Sequence, residues 1–374
     1  MKICLVAHLN DLSGANKSLM DLATGLAVSN DVTVIVPRKG PLYDELLCRK
    51  IRTIVVFSGS WVYKRDEKCI KKVFKRVVNF FAEFKFKQLF KTEHFDVVHY
   101  NSYIYGAGAS SLLKMGMPYT WHIRELPEEN FNLSFFNKER TNTVISKSDA
   151  IVTISNFMKD ALPSQFRNKI SVIYNGISID KSTWTYNPII HIDDMVIIGA
   201  IAEDKGQIDA IRALLYLNSL GISMKLYIVG KVTDEAYYKQ IIQEIPVEYR
   251  DCILFEGYKN DVSDYRKCNR IALVCSKAEA FGRVTIEAMA AGQIVIGADT
   301  GATPEIISDG NNGFLYKQGD YLDLANKIIA VLKSDNLERV SNNARESVAN
   351  CFCVEKTVRS VEEFLSDVIS KRNG

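Results

Sequence analysis

The 374 residues exceed one ordinary core and suit two domains of about 150–200 residues each. Apolar residues at 47% and charged residues at 24% are those of a globular chain, and no stretch approaches the roughly 18 apolar residues of a membrane span. A net charge of +3 leaves no overall field for nucleic acid, so no nucleic-acid partner is expected.

Met1-Lys2 leads straight into the apolar run Ile3 to Leu9. That run lacks the layout of a signal peptide and reads as a first strand, which predicts a cytoplasmic protein. Eight cysteines are scattered without any Cys-x-x-Cys, and Cys351-Phe352-Cys353 is too tight for a zinc knuckle. They read as buried free thiols of a reducing compartment.

Along the chain, short apolar runs alternate with segments of helical period, the mark of parallel α/β architecture. The first half predicts strands at Ile3–Ala7, Val32–Val36, Thr53–Phe57, Asp96–Tyr100, Tyr119–Ile123, Ala150–Ile154 and Ser171–Tyr174. Helices are predicted at Lys17–Ala27 and Tyr105–Met115. Within this half, residues 64–91 carry ten Lys and Arg against three acids, a local +7. Phe74, Val77, Val78, Phe81, Phe84 and Phe86 interleave with those cations, so a helix here is basic and amphipathic. Such a helix either lies on an anionic membrane, as a peripheral contact, or is a solvated cationic face.

Residues 179–194 are polar and irregular and read as a linker between domains at 1–178 and 195–354. The second half predicts strands at Met195–Ile201, Lys225–Val229, Ile253–Phe255, Ile271–Cys275 and Ile294–Ala298. Its helices are predicted at Gln207–Ser219, Tyr237–Gln243, Val284–Ala291 and Tyr321–Leu332. Val358, Val361, Phe364, Leu365 and Val368 give Glu355–Ser370 one apolar face. The tail 355–374 is therefore expected to be a helix, packing back towards the N-terminal domain. The fold class expected is α/β, two Rossmann-like doubly wound domains facing across a cleft, because open parallel sheets bind ligands at their strands' carboxyl ends.

The turn after the first strand, His8 to Ser18, contains only Gly14, so it is neither a Gly-x-Gly-x-x-Gly dinucleotide fingerprint nor a P-loop. The most informative stretch runs from Ser276 to Gly292. Gly282 precedes a helix-forming run, so Phe281, Gly282, Arg283 and Val284 sit at a helix N-terminus, a ready anion site. Glu279 falls in the loop before it and Glu287 inside the helix. Two carboxylates and exposed amides match sugar and ribose hydroxyls plus a diphosphate.

Glu279-Ala-Phe-Gly-Arg-Val-Thr-Ile-Glu287 resembles the Glu-x7-Glu signature of the family-4 group of retaining glycosyltransferases, whose fold is GT-B. Further stretches follow in that family's order. Ser13-Gly14-Ala15 is similar to its Gly-Gly-Ala turn, and Trp121-His122-Ile123-Arg124-Glu125 to the loop that places a His near the donor sugar. Asn175-Gly176-Ile177 is similar to its interdomain junction, Asp204-Lys205-Gly206 to its diphosphate-binding Lys-Gly, and Gly301–Leu315 to its next loop and strand.

The resemblance implies a retaining transferase that moves a sugar from a nucleotide-diphosphate donor to a glycan or lipid-linked glycan acceptor. It implies a cytoplasmic, peripheral place in bacterial surface polysaccharide assembly. Glu279, His122 and Lys205 would be the catalytic set. Glu287 would bind the ribose, Glu279 and His122 the sugar, Lys205 the leaving diphosphate, and Gly14 would let the backbone approach the donor. Asn175 would join the donor site, and Arg124 and Glu125 are either acceptor-side groups or an exposed ion pair. His99 ends a strand in a site or a packing role, and Tyr258 either stacks on a base or packs in a turn.

Ala200 stands where the family usually has an Arg, so one diphosphate cation is missing; Lys231 or Arg283 could replace it. No Asp-x-Asp motif stands at a strand end, and Asp193-Asp194 falls in the linker. No cofactor and no metal are therefore expected. Two alternatives remain open at this level, a nucleotide-sugar epimerase and a non-catalytic nucleotide-sugar-binding subunit.

Overall fold

The computed structural model of the chain describes residues 1–65, 67–128, 133–179 and 194–373. Positions 180–193 of the expected linker, Asp193 included, and Asp66 of the basic stretch lie outside the described residues. The chain divides into two compact units, Met1–Gly176 with Val354–Gly374, and Ile177–Cys353.

The first unit is built on a seven-stranded parallel sheet ordered β3-β2-β1-β5-β6-β8-β9. Its strands are β1 (Lys2–Val6), β2 (Asp31–Val36), β3 (Arg52–Val55), β5 (Val97–Tyr100), β6 (Tyr119–Ile123), β8 (Ala150–Thr153) and β9 (Ile170–Val172). β1, β5 and β6 are the middle strands, and all but Lys2 of their residues are buried. That explains why Ile3–Val6 reads as an unbroken apolar run, and it means that His99, Thr120 and His122 on β5 and β6 are buried as well. A separate antiparallel pair, β4 (Val62–Lys64) with β7 (Leu133–Phe135), was not expected. Its strands are too short to show a period of two.

The second unit carries a six-stranded parallel sheet ordered β12-β11-β10-β13-β14-β15. The strands are β10 (Asp194–Ile198), β11 (Lys225–Val229), β12 (Ile253–Gly257), β13 (Ile271–Val274), β14 (Ile294–Ala298) and β15 (Phe314–Tyr316). In both sheets the strand order reverses, between β1 and β5 and between β10 and β13. The helices leaving these neighbours diverge to opposite faces, which opens a crevice at the strands' carboxyl ends.

The predicted helix Tyr105–Met115 starts only at Ala109. Gly108 has a left-handed φ of 85°, and a Cβ there would meet Phe86 at 2.6 Å. The preceding residues therefore form a turn pressed against the helix Cys69–Glu93. Of the eight free cysteines only Cys4 and Cys275 are buried, which corrects the expectation of buried thiols. Cys48, Cys69, Cys268 and Cys351 are exposed, because they lie on outward turns of helices and at helix ends.

The helix Val354–Asn373 contributes Val361 and Leu365, both fully buried, to one core with Leu19, Leu22 and Leu26 of the helix Gly14–Leu26. Gly25 makes that close packing feasible, since a Cβ there would fall 2.4 Å from Val358. Leu365→Ala should therefore destabilise the first unit by about 2–5 kcal/mol, read from its urea unfolding midpoint. A shift too small to resolve would show that the C-terminal helix is not part of that core.

Candidate active site

In the second unit, the loops leaving β10 and β13 meet. Gly206, at φ 64°, lies so close that a Cβ would fall 2.1 Å from the Cys275 carbonyl oxygen. The Lys277 amide donates to the Asp204 carbonyl at 2.8 Å. This apposition brings the Lys205 ammonium within 2.7 Å of Glu279 Oε1, to which Ser276 Oγ also donates at 2.6 Å. The Glu279 backbone is fixed as well. Its carbonyl accepts from Ala302 N at 2.9 Å, and Gly301, at φ 59°, leaves room for it where a Cβ would stand 2.7 Å away.

Burial works against the charge on Lys205, but the Glu279 carboxylate and its hydrogen bond outweigh it and hold the ammonium pKa above the ordinary lysine value. Lys205, Ser276, Glu279, Arg283 and Val284 line a pocket of about 160 Å³ at the carboxyl ends of β10 and β13. Gly282, left-handed at φ 101°, turns the chain into the helix Arg283–Ala290, whose first amides face the same loop region.

Glu287 sits between two arginines, 2.9 Å from Arg266 Nη2 and 3.5 Å from Arg283 Nε. Arg266 is buried, and its second nitrogen reaches Gln293 Oε1 at 3.4 Å. It had no sequence signal, because it lies on the short helix Ser263–Cys268, outside every motif. Ser276 was likewise missed as a partner of Glu279. Phe281 is buried edge-on against Phe352, with ring centres 5.8 Å apart, so its position offers backbone and not a side chain to the site. Lys231 is exposed and does not line the pocket; its carbonyl accepts from Ile201 N. Tyr258 is 69% exposed, so it is no packed turn residue, and it is not among the pocket residues.

In the first unit, Thr120, His122 and Arg124 follow one another at every second position and so share one side of β6 and its extension. His99 on β5 stands in register with Thr120. Its Nδ1 lies 2.7 Å from Thr120 Oγ1 and its Nε2 3.3 Å from His122 Nδ1, and Phe364 of the C-terminal helix covers it edge-on. Arg124 Nη2 stands 3.2 Å from the same His122 Nδ1. A guanidinium can only donate, so His122 Nδ1 accepts and its proton sits on Nε2. His99 must then donate through Nε2 and accept from Thr120. His122 Nε2–H is left as a buried donor with no partner among the described residues.

Arg124 also donates from Nε to Asn101 Oδ1 at 2.7 Å and from Nη1 to Asn175 Oδ1. Glu125 accepts from Ser102 Oγ and, at 2.8 Å, from Tyr103 N. Both residues are buried and engaged separately, which rules out the exposed ion pair. Gly14 begins the helix Gly14–Leu26. Around this strand edge, His8 Nδ1, Ser13 Oγ and Asn16 Oδ1 are further buried polar atoms without a partner among the described residues. Burial keeps His8 neutral by lowering its pKa, against the pull of Glu125 and Asp11. Among the described residues no group of three or more His, Cys, Asp and Glu side chains could hold a metal ion.

Residues 193–347 match the sequence profile of glycosyl transferases group 1, and residues 12–181 that of glycosyltransferase family 4. The chain is 28% identical over 236 residues to N-acetyl-alpha-D-glucosaminyl L-malate synthase of Bacillus anthracis. It is 25% identical over 220 residues to the capsular polysaccharide biosynthesis glycosyltransferase CapM of Staphylococcus aureus. These matches cover 63% and 55% of this chain, and it spans 58% of the length of each relative. The fold matches that of HepE of Anabaena, solved in complex with UDP and glucose, with a TM-score of 0.77. That match is at 20% identity and covers 98% of this chain and 99% of HepE.

The buried histidines give the first unit a pH dependence. Burial, reinforced by Arg124, pulls His99 down to about 3 and His122 well below 6.5. Both are neutral when folded, whereas in the unfolded chain they protonate near pH 6.5. Folding stability is thus full above about pH 6.5 and lost as pH falls, by at most about 1.4 kcal/mol per pH unit for each histidine. Urea titrations at pH 7.5 and 5.0 should show a smaller loss for the His99→Gln/His122→Gln variant than for the native chain. An equal loss would refute the neutral pair.

Proposed function

Since the chain belongs to the family-4 group of glycosyltransferases, we propose that it transfers a sugar from a nucleotide-diphosphate donor to a hydroxyl of a glycan or lipid-linked glycan, with retention at the anomeric carbon. Bacterial surface polysaccharide assembly is the setting that the name of CapM favours. The observation that carries this reading is the convergence of Lys205, Glu279 and Arg283 in one pocket beside a helix N-terminus.

In that pocket the diphosphate would meet the amides at Gly282–Val284 and the Lys205 ammonium, which offsets charge as the sugar–oxygen bond breaks. Glu279 would hold donor-sugar hydroxyls and Glu287, steadied by Arg266, the ribose hydroxyls. His122 would donate through Nε2 to the transferred sugar. Gly14 would admit the donor close to the backbone, Asn175 would join the donor site, and Arg124 and Glu125 would stand on the acceptor side. The acceptor hydroxyl attacks the face from which the diphosphate leaves, and a departing diphosphate oxygen takes its proton. Among the described residues Glu279 is the single carboxylate lining the pocket, whereas an epimerase would need further acid–base groups.

Arg283, and not the outlying Lys231, is the better replacement for the cation missing at Ala200. No metal is required, because these cations and the helix terminus take its role. Lys205→Ala should lower donor turnover by about 10²–10³-fold. Arg283→Ala should reduce it more than Lys231→Ala, and chelation with EDTA should leave it unchanged. Turnover of UDP-, GDP- and dTDP-sugars is the measurement. Undiminished activity in Lys205→Ala would remove the diphosphate assignment.

Peripheral membrane contact is part of the same reading, and no helix among the described residues is long and apolar enough to cross a membrane. The helix Cys69–Glu93 packs through Ala82, Phe86 and Phe90. Phe86 therefore belongs to the core and not to the outward face expected from sequence. Ile70, Val73, Phe74, Val77, Phe80, Phe81 and Phe84 are each 49–77% exposed and form one outward stripe. At 3.6 residues per turn, Lys71 and Lys85 flank it on one side and Arg76 and Lys87 on the other. An apolar stripe edged by cations suits an anionic bilayer. Vesicles containing phosphatidylglycerol should carry the protein upward on flotation, and Phe80→Ser/Phe81→Ser/Phe84→Ser should weaken binding roughly tenfold or more. Equal binding by the triple variant would sink the membrane reading.

A further inference from the structure

A cavity of about 510 Å³ in the first unit shares no lining residue with the pocket at Glu279 or the cluster at His122. It lies among the helix Cys69–Glu93, the helix Lys138–Ser146, Trp61 just before β4 and Phe136 just after β7. Trp61 and Phe136 give it aromatic walls, and the Arg76 guanidinium stands over the Phe136 ring, 5.1 Å from its centre. Arg140 and Glu83 line it too. Glu83 accepts from Gly108 N at 3.1 Å, and burial pushes its carboxyl up while Gly108, Arg140 and Lys114 pull it back.

This set of groups is selective. Aromatic faces stack on the apolar side of a sugar ring, while a carboxylate and amides take its hydroxyls. Two arginines add planar cationic forks that suit phosphate oxygens. The place matters as much as the chemistry. Phe80 is 76% exposed and belongs both to the outward apolar stripe and to the cavity wall, with Arg76 one turn before it. The mouth of the cavity therefore adjoins the stripe assigned to the bilayer.

We propose that this cavity binds the phosphate-linked sugar of a membrane lipid, with the ring against Trp61 and the phosphate between Arg76, steadied on the Phe136 ring, and Arg140. The lipid chain leaves past Phe80 towards the bilayer. This inference rests on the membrane-bound acceptor described above. A free sugar phosphate carries the same chemistry, so the source has to be separated by experiment.

The full chain is titrated calorimetrically with the 1-phosphates of glucose, galactose and N-acetylglucosamine, with the parent sugars, and with inorganic phosphate. Vesicles with and without a polyprenyl phosphate-linked sugar form the second arm. At least one sugar 1-phosphate should bind more tightly than its parent sugar and than phosphate. Arg140→Ala should weaken that binding about tenfold, whereas Lys333→Ala, an exposed lysine of the second unit, should not. Vesicles bearing the glycolipid should bind more tightly than plain ones, and Arg140→Ala should lower that excess. Absence of any sugar-phosphate binding, or indifference to Arg140→Ala, overturns the site. Soluble binding without preference for the glycolipid vesicle overturns the lipid source. Titration of the unsubstituted protein with UDP, GDP and dTDP tests the transferase reading separately, since nucleotide binding that persists when the sugar phosphates fail leaves that reading standing.

Discussion

The chemistry of both units depends on one constraint, the reversal of strand order at β1/β5 and at β10/β13. A parallel sheet connected by right-handed crossovers can grow in either direction from a starting strand. Where growth changes direction, neighbouring connections leave on opposite faces and nothing covers the strand ends between them. Gly14, His122 and Asn175 belong to the carboxyl edge of the first sheet. Lys205, Glu279 and Arg283 belong to that of the second. Within the second unit, the side chains of Lys205, Glu279 and Arg283 could not converge from the same sequence wound in a single direction.

Within the second unit, glycine at Gly206 and Gly301 converts that opening into a defined site. A side chain at either position would collide with the backbone of the loop after β13. Their absence lets three loops press together around Glu279, whose carboxylate is then held by Lys205 and Ser276. A lysine on a free loop would lose rotamer freedom on binding an anion. Here that ordering is already complete, and the attraction of Glu279 keeps the ammonium charged in spite of its burial. Glu287 is held in the same manner between Arg266 and Arg283.

The first unit uses hydrogen-bond direction instead of charge. Arg124 has no acceptor capacity, so its position beside His122 Nδ1 fixes the tautomer of two histidines and orients Thr120. Burial, reinforced by Arg124, keeps both rings neutral. The outcome is a directed donor at His122 Nε2 that costs no charge to bury. The C-terminal helix closes the core beneath β1 and covers His99, so the last residues of the chain support the histidine pair on β5 and β6.

Much of this was legible in the sequence, for identifiable reasons. The run Ile3–Val6 of β1 and the strand β13 showed as unbroken apolar stretches because both of their faces are covered. The helix starting at Arg283 showed through Gly282, which takes a left-handed turn that other residues resist. Glu279, Glu287, Lys205 and His122 stood out because the short stretches that carry them resemble the family's motifs in order along the chain. Only the tertiary structure decided the partners. Arg266 finds Glu287 and His99 finds His122 across gaps of 21 and 23 residues, and no local period records such distances. Phe86 and Phe84 look alike in sequence, yet one is core and the other faces outward, because the helix rotates them to opposite sides. Local chemistry fixes which residues can act; the winding of the sheets decides which of them meet.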